Sequence, residues 1–171
     1  MLVVSDTTPI ISLLKIEKLE LLRDLYREVV IPKAVYDELT SNDAYAAERN
    51  AVDNADYITT KEVKNGEEVK KLQAMSGLQL GESEALVLAN EIKADLLLVD
   101  EVPGRNMARE MQLDFTGTIG ILVQAIRCKK LSGEEVEDCV DTLRQNGRHI
   151  SKELYEILVQ EASKSATSTR D

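Results

Sequence analysis

The chain has 171 residues, and 43% of them are hydrophobic, enough to fill the core of one compact domain. Its 31 acidic and 21 basic side chains give a formal net charge of −10, which excludes nucleic-acid binding through a broad basic surface. Any such contact has to be local or assisted by cations. The sequence shows no apolar stretch long enough to span a bilayer and no leader-like start, so we expect a cytoplasmic protein with no membrane partner.

The cysteines and the single histidine suggest no site of their own. Cys128 and Cys139 lie in predicted helices without metal-type spacing, so we expect reduced thiols. One histidine, His149, excludes chemistry that needs two, and we expect it to be a surface side chain near a helix start.

The first half of the chain alternates β-branched runs with amphipathic segments. Pro32 suits the first turn of a helix, because its missing N–H needs no partner there. The predicted strands are 2–5, 29–31 and 57–60, and the predicted helices are 9–14, 19–26, 32–40, 42–52 and 64–75.

The second half continues the alternation. The segment GESEALVLANEIKA places Ala85, Leu88, Ala89 and Ile92 on one face of a helix, and residues 96–99 form an apolar run typical of a buried parallel strand. Further predicted elements are helices 104–111, 118–129, 133–145 and 151–163 and a short strand 114–117. This order predicts an α/β layer fold with a mostly parallel sheet.

We expect a single domain. Residues 1–131 form its core, residues 132–163 form a C-terminal helical extension of the same domain, and residues 164–171, which are mostly small and polar, form a disordered tail.

Acidic residues lie where a parallel sheet places its ligands, at the carboxyl ends of strands. Asp6 and Asp100 each follow a predicted strand, and Glu38 lies on the inward side of its helix. Glu82 or Glu84 would add a further acid, and helical phase does not separate these two because both flank the core stripe.

Crowded carboxylates stay ionised only if a cation compensates them, and oxygen ligands favour Mg²⁺ or Mn²⁺. Two such ions can activate water for displacement at phosphorus, as in many nucleases. Thr7 could orient a phosphate or cap the following helix, and Arg105 could bind phosphate or form a salt bridge at a helix start.

Each acid also has an ordinary interpretation. Asp6 can cap a helix, Glu82 and Glu84 can complement a helix dipole, Glu38 can be solvated, and Asp100 can begin a turn. An aspartyl-phosphate enzyme would usually carry a second Asp where Thr8 stands, and a signalling receiver would carry an acidic pair where Ser5 precedes Asp6. A catalytically silent interaction module remains the alternative function.

The chain resembles a known family in four segments and in its C-terminal part. The segments are VVSDTTPIISLL, VIPKAVYDEL, GLQLGESEALVLANEIKADLLLVDE and GRNMAREMQLDFTGTIGILVQA, followed by LRQNGRHISKELYEILVQEA. They are similar to PIN-domain nucleases, in particular to VapC-like prokaryotic proteins with a GE-x-EA helix and a GT-x-G turn. The resemblance covers residues 1–162.

The resemblance implies a three-layer, Rossmann-like PIN fold and an Mg²⁺- or Mn²⁺-dependent endoribonuclease. Asp6, Glu38 and Glu84 match the family's first three acids. The fourth is Asp100 or Glu101, because Val102 occupies the position that carries the acid in the common pattern. Glu82 and Glu101 are further possible metal ligands, and Thr7 and Arg105 possible substrate contacts. RNA, a small antitoxin protein and a second copy of the chain are the implied partners.

Overall fold

The computed structural model describes residues 1–41 and 46–167 of the chain. Within them, five short strands form one sheet in which every adjacent pair is parallel. The order across the sheet is β3-β2-β1-β4-β5, so β1 is the central strand. The strands are β1 (Val3–Ser5), β2 (Val29–Pro32), β3 (Ile58–Lys61), β4 (Leu96–Leu98) and β5 (Phe115–Thr116).

Helices connect the strands and extend the chain beyond the last strand. In the described residues they are α1 (Thr7–Lys15), α2 (Leu21–Tyr26), α3 (Lys33–Thr40), α4 (Ala46–Asp53), α5 (Gly66–Ser76), α6 (Leu80–Glu91), α7 (Val102–Glu110), α8 (Thr118–Arg127), α9 (Gly133–Gln145) and α10 (Lys152–Thr167). The predicted α/β fold with a parallel sheet is confirmed.

Two helices begin at residues other than the predicted ones for local reasons. The helix predicted over 104–111 begins at Val102, because Pro103 is tolerated in a first turn. The helix predicted over 64–75 begins at Gly66, where the Asn65 side chain accepts a hydrogen bond from the Glu68 N–H.

Two predicted segments extend outside the described residues. For the helix predicted over 42–52, residues 42–45 lie outside them, and α4 begins at Ala46. For the tail predicted over 164–171, α10 runs through residue 167, and residues 168–171 lie outside.

The sheet separates two apolar clusters, which gives three layers. Successive residues of a strand point to opposite faces, so Val3 enters one cluster and Val4 the other. The Val3 cluster draws on α1 to α4 and on α8 to α10, and the Val4 cluster on α5, α6 and α7. Strands covered on both faces require continuous apolar sequence, which explains the runs around β1, β2 and β4.

The C-terminal helices share the core of the sheet. Val140 and Leu143 of α9 and Leu158 of α10 are at most 1% exposed, and they belong to the same cluster as Ile121 and Leu122 of α8. Ser132 and Glu135 form a capping box that fixes the start of α9. None of the described helices is long and apolar enough to cross a membrane. Cys128 and Cys139 are free thiols.

Because Leu158 is fully buried in the main cluster, Leu158→Ala should lower the free energy of unfolding of the whole chain by about 2–5 kcal/mol. Ile157→Ala is the matched control on the same helix, since Ile157 is 45% exposed, and it should change stability by less than about 0.5 kcal/mol. Urea unfolding followed by circular dichroism measures both. A separate early transition in Leu158→Ala would contradict a shared core.

Candidate active site

Two acids lie side by side because two strands end at the same level. Ser5 of β1 pairs with Leu98 of β4, and the Asp6 N–H donates to the Leu98 carbonyl oxygen (3.0 Å). Asp6 and Asp100 therefore follow neighbouring strand ends at the centre of the sheet, the edge at which parallel α/β sheets bind ligands.

An open pocket of about 480 Å³ lies at this edge. It contains four of the six acids that the sequence suggested as metal ligands: Asp6, Glu38, Glu82 and Glu101. Asp100 lies in the wall of a larger neighbouring cavity, and Glu101 borders both. The other residues that line the pocket are Thr7, Thr8, Ile11, Ser76, Gly77, Leu78, Gln79 and Pro103.

Asp6 is the most buried of these acids, with 2% of its surface exposed. Burial raises the pKa of its carboxyl group to about 7, and the negative charges of Glu82, Glu38 and Asp100 act in the same direction, while the Thr7 backbone amide opposes them. Asp6 precedes α1 but makes no side-chain capping hydrogen bond to it. Asp6 therefore does not act as a regular helix cap, although the Thr7 backbone amide stabilises its charged form.

Glu38 is oriented by a neighbour on another element. The Thr7 hydroxyl donates to Glu38 Oε2 at 2.6 Å, which joins the start of α1 to α3. On the other side, a methyl group at Gly81 would come within 2.5 Å of Glu38 Oε1. The absence of a side chain at Gly81 thus leaves the space that the Glu38 carboxylate occupies.

Glu82 and Glu84 have different partners because two residues turn an α-helix by more than half a revolution. Glu82 Oε2 accepts from the Gln79 N–H (3.4 Å), and Glu82 Oε1 is buried with no hydrogen-bond partner. Burial, with Glu101 and Glu38 nearby, raises the pKa of Glu82. Glu84 Oε2 instead accepts from the Ala34 N–H at the start of α3 (2.9 Å). The structure therefore places Glu82 at the pocket and directs Glu84 to a neighbouring helix end.

Asp100 holds the start of α8. Its Oδ1 accepts from the Thr118 N–H (2.7 Å) and its Oδ2 from the Thr118 hydroxyl (2.6 Å). These bonds satisfy donors at a helix N-terminus that would otherwise lack partners. Both oxygens keep further acceptor capacity. The negative charge of Asp100 also contributes to the raised pKa of Asp6.

Arg105 and Arg148 lie beside the acids. Arg105 Nε donates to the Val99 carbonyl oxygen (3.1 Å), and its guanidinium lies 5.9 Å from the centre of the Phe115 ring. Arg148 comes from the loop between α9 and α10, and its Nη1 lies 3.5 Å from Glu101 Oε1. Sequence reasoning missed Arg148, because no local pattern connects it to acids so far away in the chain.

Sequence reasoning also missed the roles of three glycines. A side chain at Gly81 would meet Glu38, one at Gly104 would meet Glu82, and one at Gly117 would meet Asp100 and Arg105. Only their position in the sequence could have indicated these roles, because each glycine lies at or near the start of a helix that borders the strand ends.

The donor set suits a hard divalent cation, although the side chains are spread out. In the described ranges, no three His, Cys, Asp or Glu side chains are grouped closely enough to hold a metal ion. Asp6, Glu38 and Glu82 offer only oxygen ligands, and Glu82 Oε1 is a buried acceptor without a partner. A cation would compensate the charges that raise the pKa of Asp6, so the chemistry of these residues fits Mg²⁺ or Mn²⁺.

The raised pKa of Asp6 predicts a pH-dependent cost of folding. The folded chain holds the Asp6 proton more tightly than the unfolded chain, so the free energy of unfolding falls as pH rises from about 4 to about 7. Asp6→Asn removes this loss and should stabilise the metal-free protein at pH 8 by on the order of a few kcal/mol, less as pH falls to 4.

Urea unfolding in EDTA across this pH range measures the difference. Glu67→Gln is the control, because the Glu67 side chain is 88% exposed and should show no such trend. A stability difference between Asp6→Asn and the unmodified protein that stays constant with pH would contradict the burial argument.

A comparison with known families agrees with this geometry. Residues 2–164 match a family model described as PIN domain. No curated protein matches the chain. The family match covers nearly the whole sequence, and its members are generally nucleases that use divalent metals. The chain belongs to the PIN-domain family.

Proposed function

We propose that this protein is a metal-dependent endoribonuclease that hydrolyses RNA phosphodiester bonds. The observation that carries the proposal is the pocket at the carboxyl ends of β1 and β4, which Asp6, Glu38 and Glu82 line and in which Asp6 has a strongly raised pKa. Family membership supports nuclease chemistry. The choice of RNA over DNA rests on the resemblance to VapC-like ribonucleases.

In this proposal Asp6, Glu38 and Glu82 hold Mg²⁺ or Mn²⁺, with Asp100 and Glu101 close enough to contribute charge. When bound, such ions lower the pKa of water and stabilise the leaving oxygen of a displacement at phosphorus. Thr7 orients Glu38 through its hydroxyl. We assign Glu84, the third acid by resemblance, to positioning α3, since its carboxylate accepts from the Ala34 N–H.

The acidic balance is compatible with this activity. A formal net charge of −10 opposes a polyanion at long range, and the pocket itself is negative. Bound divalent cations reverse the local charge where the phosphodiester must lie. RNA cleavage by this chain should therefore be strictly metal-dependent, and RNA binding should weaken in EDTA.

Substitutions on α6 distinguish the roles of Glu82 and Glu84. Glu82→Gln, like Asp6→Asn, should reduce the rate of Mg²⁺- or Mn²⁺-dependent RNA cleavage by about 100-fold or more, because it removes an ionised ligand. Glu84→Gln is the matched control, and its amide oxygen can still accept from the Ala34 N–H. It should keep cleavage within about threefold of the unmodified protein.

The assay uses a pool of single-stranded and structured RNA with EDTA, Mg²⁺ or Mn²⁺, and Asp6→Asn excludes a contaminating ribonuclease. Loss of cleavage in Glu84→Gln with full activity in Glu82→Gln would return the ligand role to Glu84. Folded protein that cuts no RNA with either metal would favour a catalytically silent PIN-fold interaction module.

Gly81 provides a test of how Glu38 is positioned. Gly81→Ala should push the Glu38 carboxylate aside and lower cleavage at limiting Mg²⁺ by about 10- to 100-fold, with partial recovery at high Mg²⁺. Gly66→Ala is the control, since a methyl group at Gly66 meets no atom within 4 Å. Equal activity of both variants at every Mg²⁺ concentration would contradict the role of Gly81.

A toxin role within a VapC-like subgroup is a further part of the proposal. It would require a small antitoxin protein that covers the acidic pocket, and a second copy of the chain as the partner in a homodimer. The support for both partners, and for a cytoplasmic location, is the resemblance of the sequence. Co-purification of the chain with the product of a neighbouring gene, with inhibition of RNA cleavage, would test the antitoxin.

A further inference from the structure

A second cavity adjoins the acidic pocket. It has a volume of about 750 Å³, a size suited to a small ligand, and it shares Glu101 with the pocket. Its walls come from β5, α7 and α8 on one side and from α9, α10 and their connecting loop on the other. A nucleic-acid strand whose phosphodiester lies at the acids can continue past Glu101 into this cavity.

Two polar groups of this cavity, the Ser12 hydroxyl and the Arg148 guanidinium, lack strong partners. Ser12 is 2% exposed, and its hydroxyl is buried with no hydrogen-bond partner. Arg148 Nη2 donates to the Thr8 carbonyl oxygen at 3.3 Å, and Nη1 is 3.5 Å from Glu101, whose side chain is 52% exposed. An exposed pair at this distance contributes little free energy, so an anion can take over the guanidinium at small cost.

The remaining wall is apolar. Leu143 and Ile150 are buried at its base, while Leu154 and Ile157 remain 38% and 45% exposed. Apolar side chains combined with an arginine fork and a buried hydroxyl suit a ligand that carries a flat, weakly hydrated ring and a phosphate. A nucleotide has both parts.

We infer that this cavity binds the nucleotide of single-stranded RNA that adjoins the cleaved phosphodiester. Arg148 contacts its phosphate, and the base packs against the wall formed by Leu154 and Ile157. The inference rests on the proposed function for the identity of the ligand, and it deepens that function by naming the residues that hold the substrate beside the acids. Base pairing would prevent the base from entering, because single-stranded bases can be splayed into such pockets and paired bases cannot.

RNA binding to Asp6→Asn protein in Mg²⁺ tests the inference without cleavage. The probe is a 5′-fluorescein-labelled, unstructured RNA of mixed sequence, followed by anisotropy at several salt concentrations. Adding Arg148→Ala should raise Kd about tenfold and reduce the slope of log Kd against log salt by about 0.7, the value for one phosphate contact on a single strand.

Arg127→Ala is the matched control. Arg127 also forms one ion pair, with Glu161 at 2.8 Å, and lies outside the cavity, so its loss changes net charge equally. A second variant, Ile157→Glu, places a carboxylate at the apolar wall and should weaken RNA binding more than Gln160→Glu, which adds the same charge at an exposed site on α10. Thermal unfolding verifies that each variant folds.

The outcomes separate this inference from the proposed function. Cleavage that depends on Asp6, together with RNA binding in Arg148→Ala and Ile157→Glu no weaker than in their controls, would overturn the cavity assignment and retain the nuclease. RNA binding that falls in both variants, with no cleavage by the unmodified protein, would retain the cavity and overturn the nuclease. Equal affinity for duplex and single-stranded RNA would overturn the choice of an unpaired strand.

Discussion

The site at the strand ends is organised around the Asp6 carboxylate, which is buried at the end of the central strand among other acids. Ionising a buried carboxyl group beside like charges is unfavourable, so a proton or a bound cation has to compensate the negative charge. The folded chain would be more stable with an apolar residue in place of Asp6. The carboxylate therefore indicates a site at which stability is reduced for function.

The other acids at this edge have two kinds of role, because some line the pocket and others bind the starts of helices. Glu84 binds the start of α3 and Asp100 the start of α8, and each satisfies donors that a helix N-terminus leaves open. These contacts fix α3, which carries Glu38 of the pocket, and α8, which lines the neighbouring cavity. Glu38 and Glu82 remain directed to its interior. An acidic sequence can thus hold a compact site, because part of its negative charge is compensated by helix ends.

Much of the fold could be predicted because its signals are local. The apolar run of β4 and the acids after β1 and β4 are adjacent in sequence, and parallel strands bring such positions together. The choice between Glu82 and Glu84 could not be made, because both flank the buried stripe of α6 and the distinguishing partner, Ala34, lies 50 residues away. Family resemblance favoured Glu84, while the geometry places Glu82 at the pocket.

The part of the site that escaped prediction depends on non-local contacts. Arg148 contacts a residue that is far away in the sequence, since its partner Thr8 precedes it by 140 positions. Gly81 and Gly104 lie against side chains from other parts of the chain, Gly81 against Glu38 and Gly104 against Val99 and Glu82. No periodicity or motif reports such pairs. Sequence patterns identify the strand ends that carry a site. The residues that shape and complete the site can be identified only in the packed structure.

The contact between Thr8 and Arg148 also has a consequence for how the protein is made. During synthesis the sheet and its acids emerge before residues 148–157, which complete the second cavity. Contacts between such distant residues also form late, because closing a long loop costs chain entropy that few early interactions offset. A chain that has emerged only as far as α8 has its carboxylates but lacks one wall of the second cavity. The acidic pocket can therefore form before the second cavity is complete.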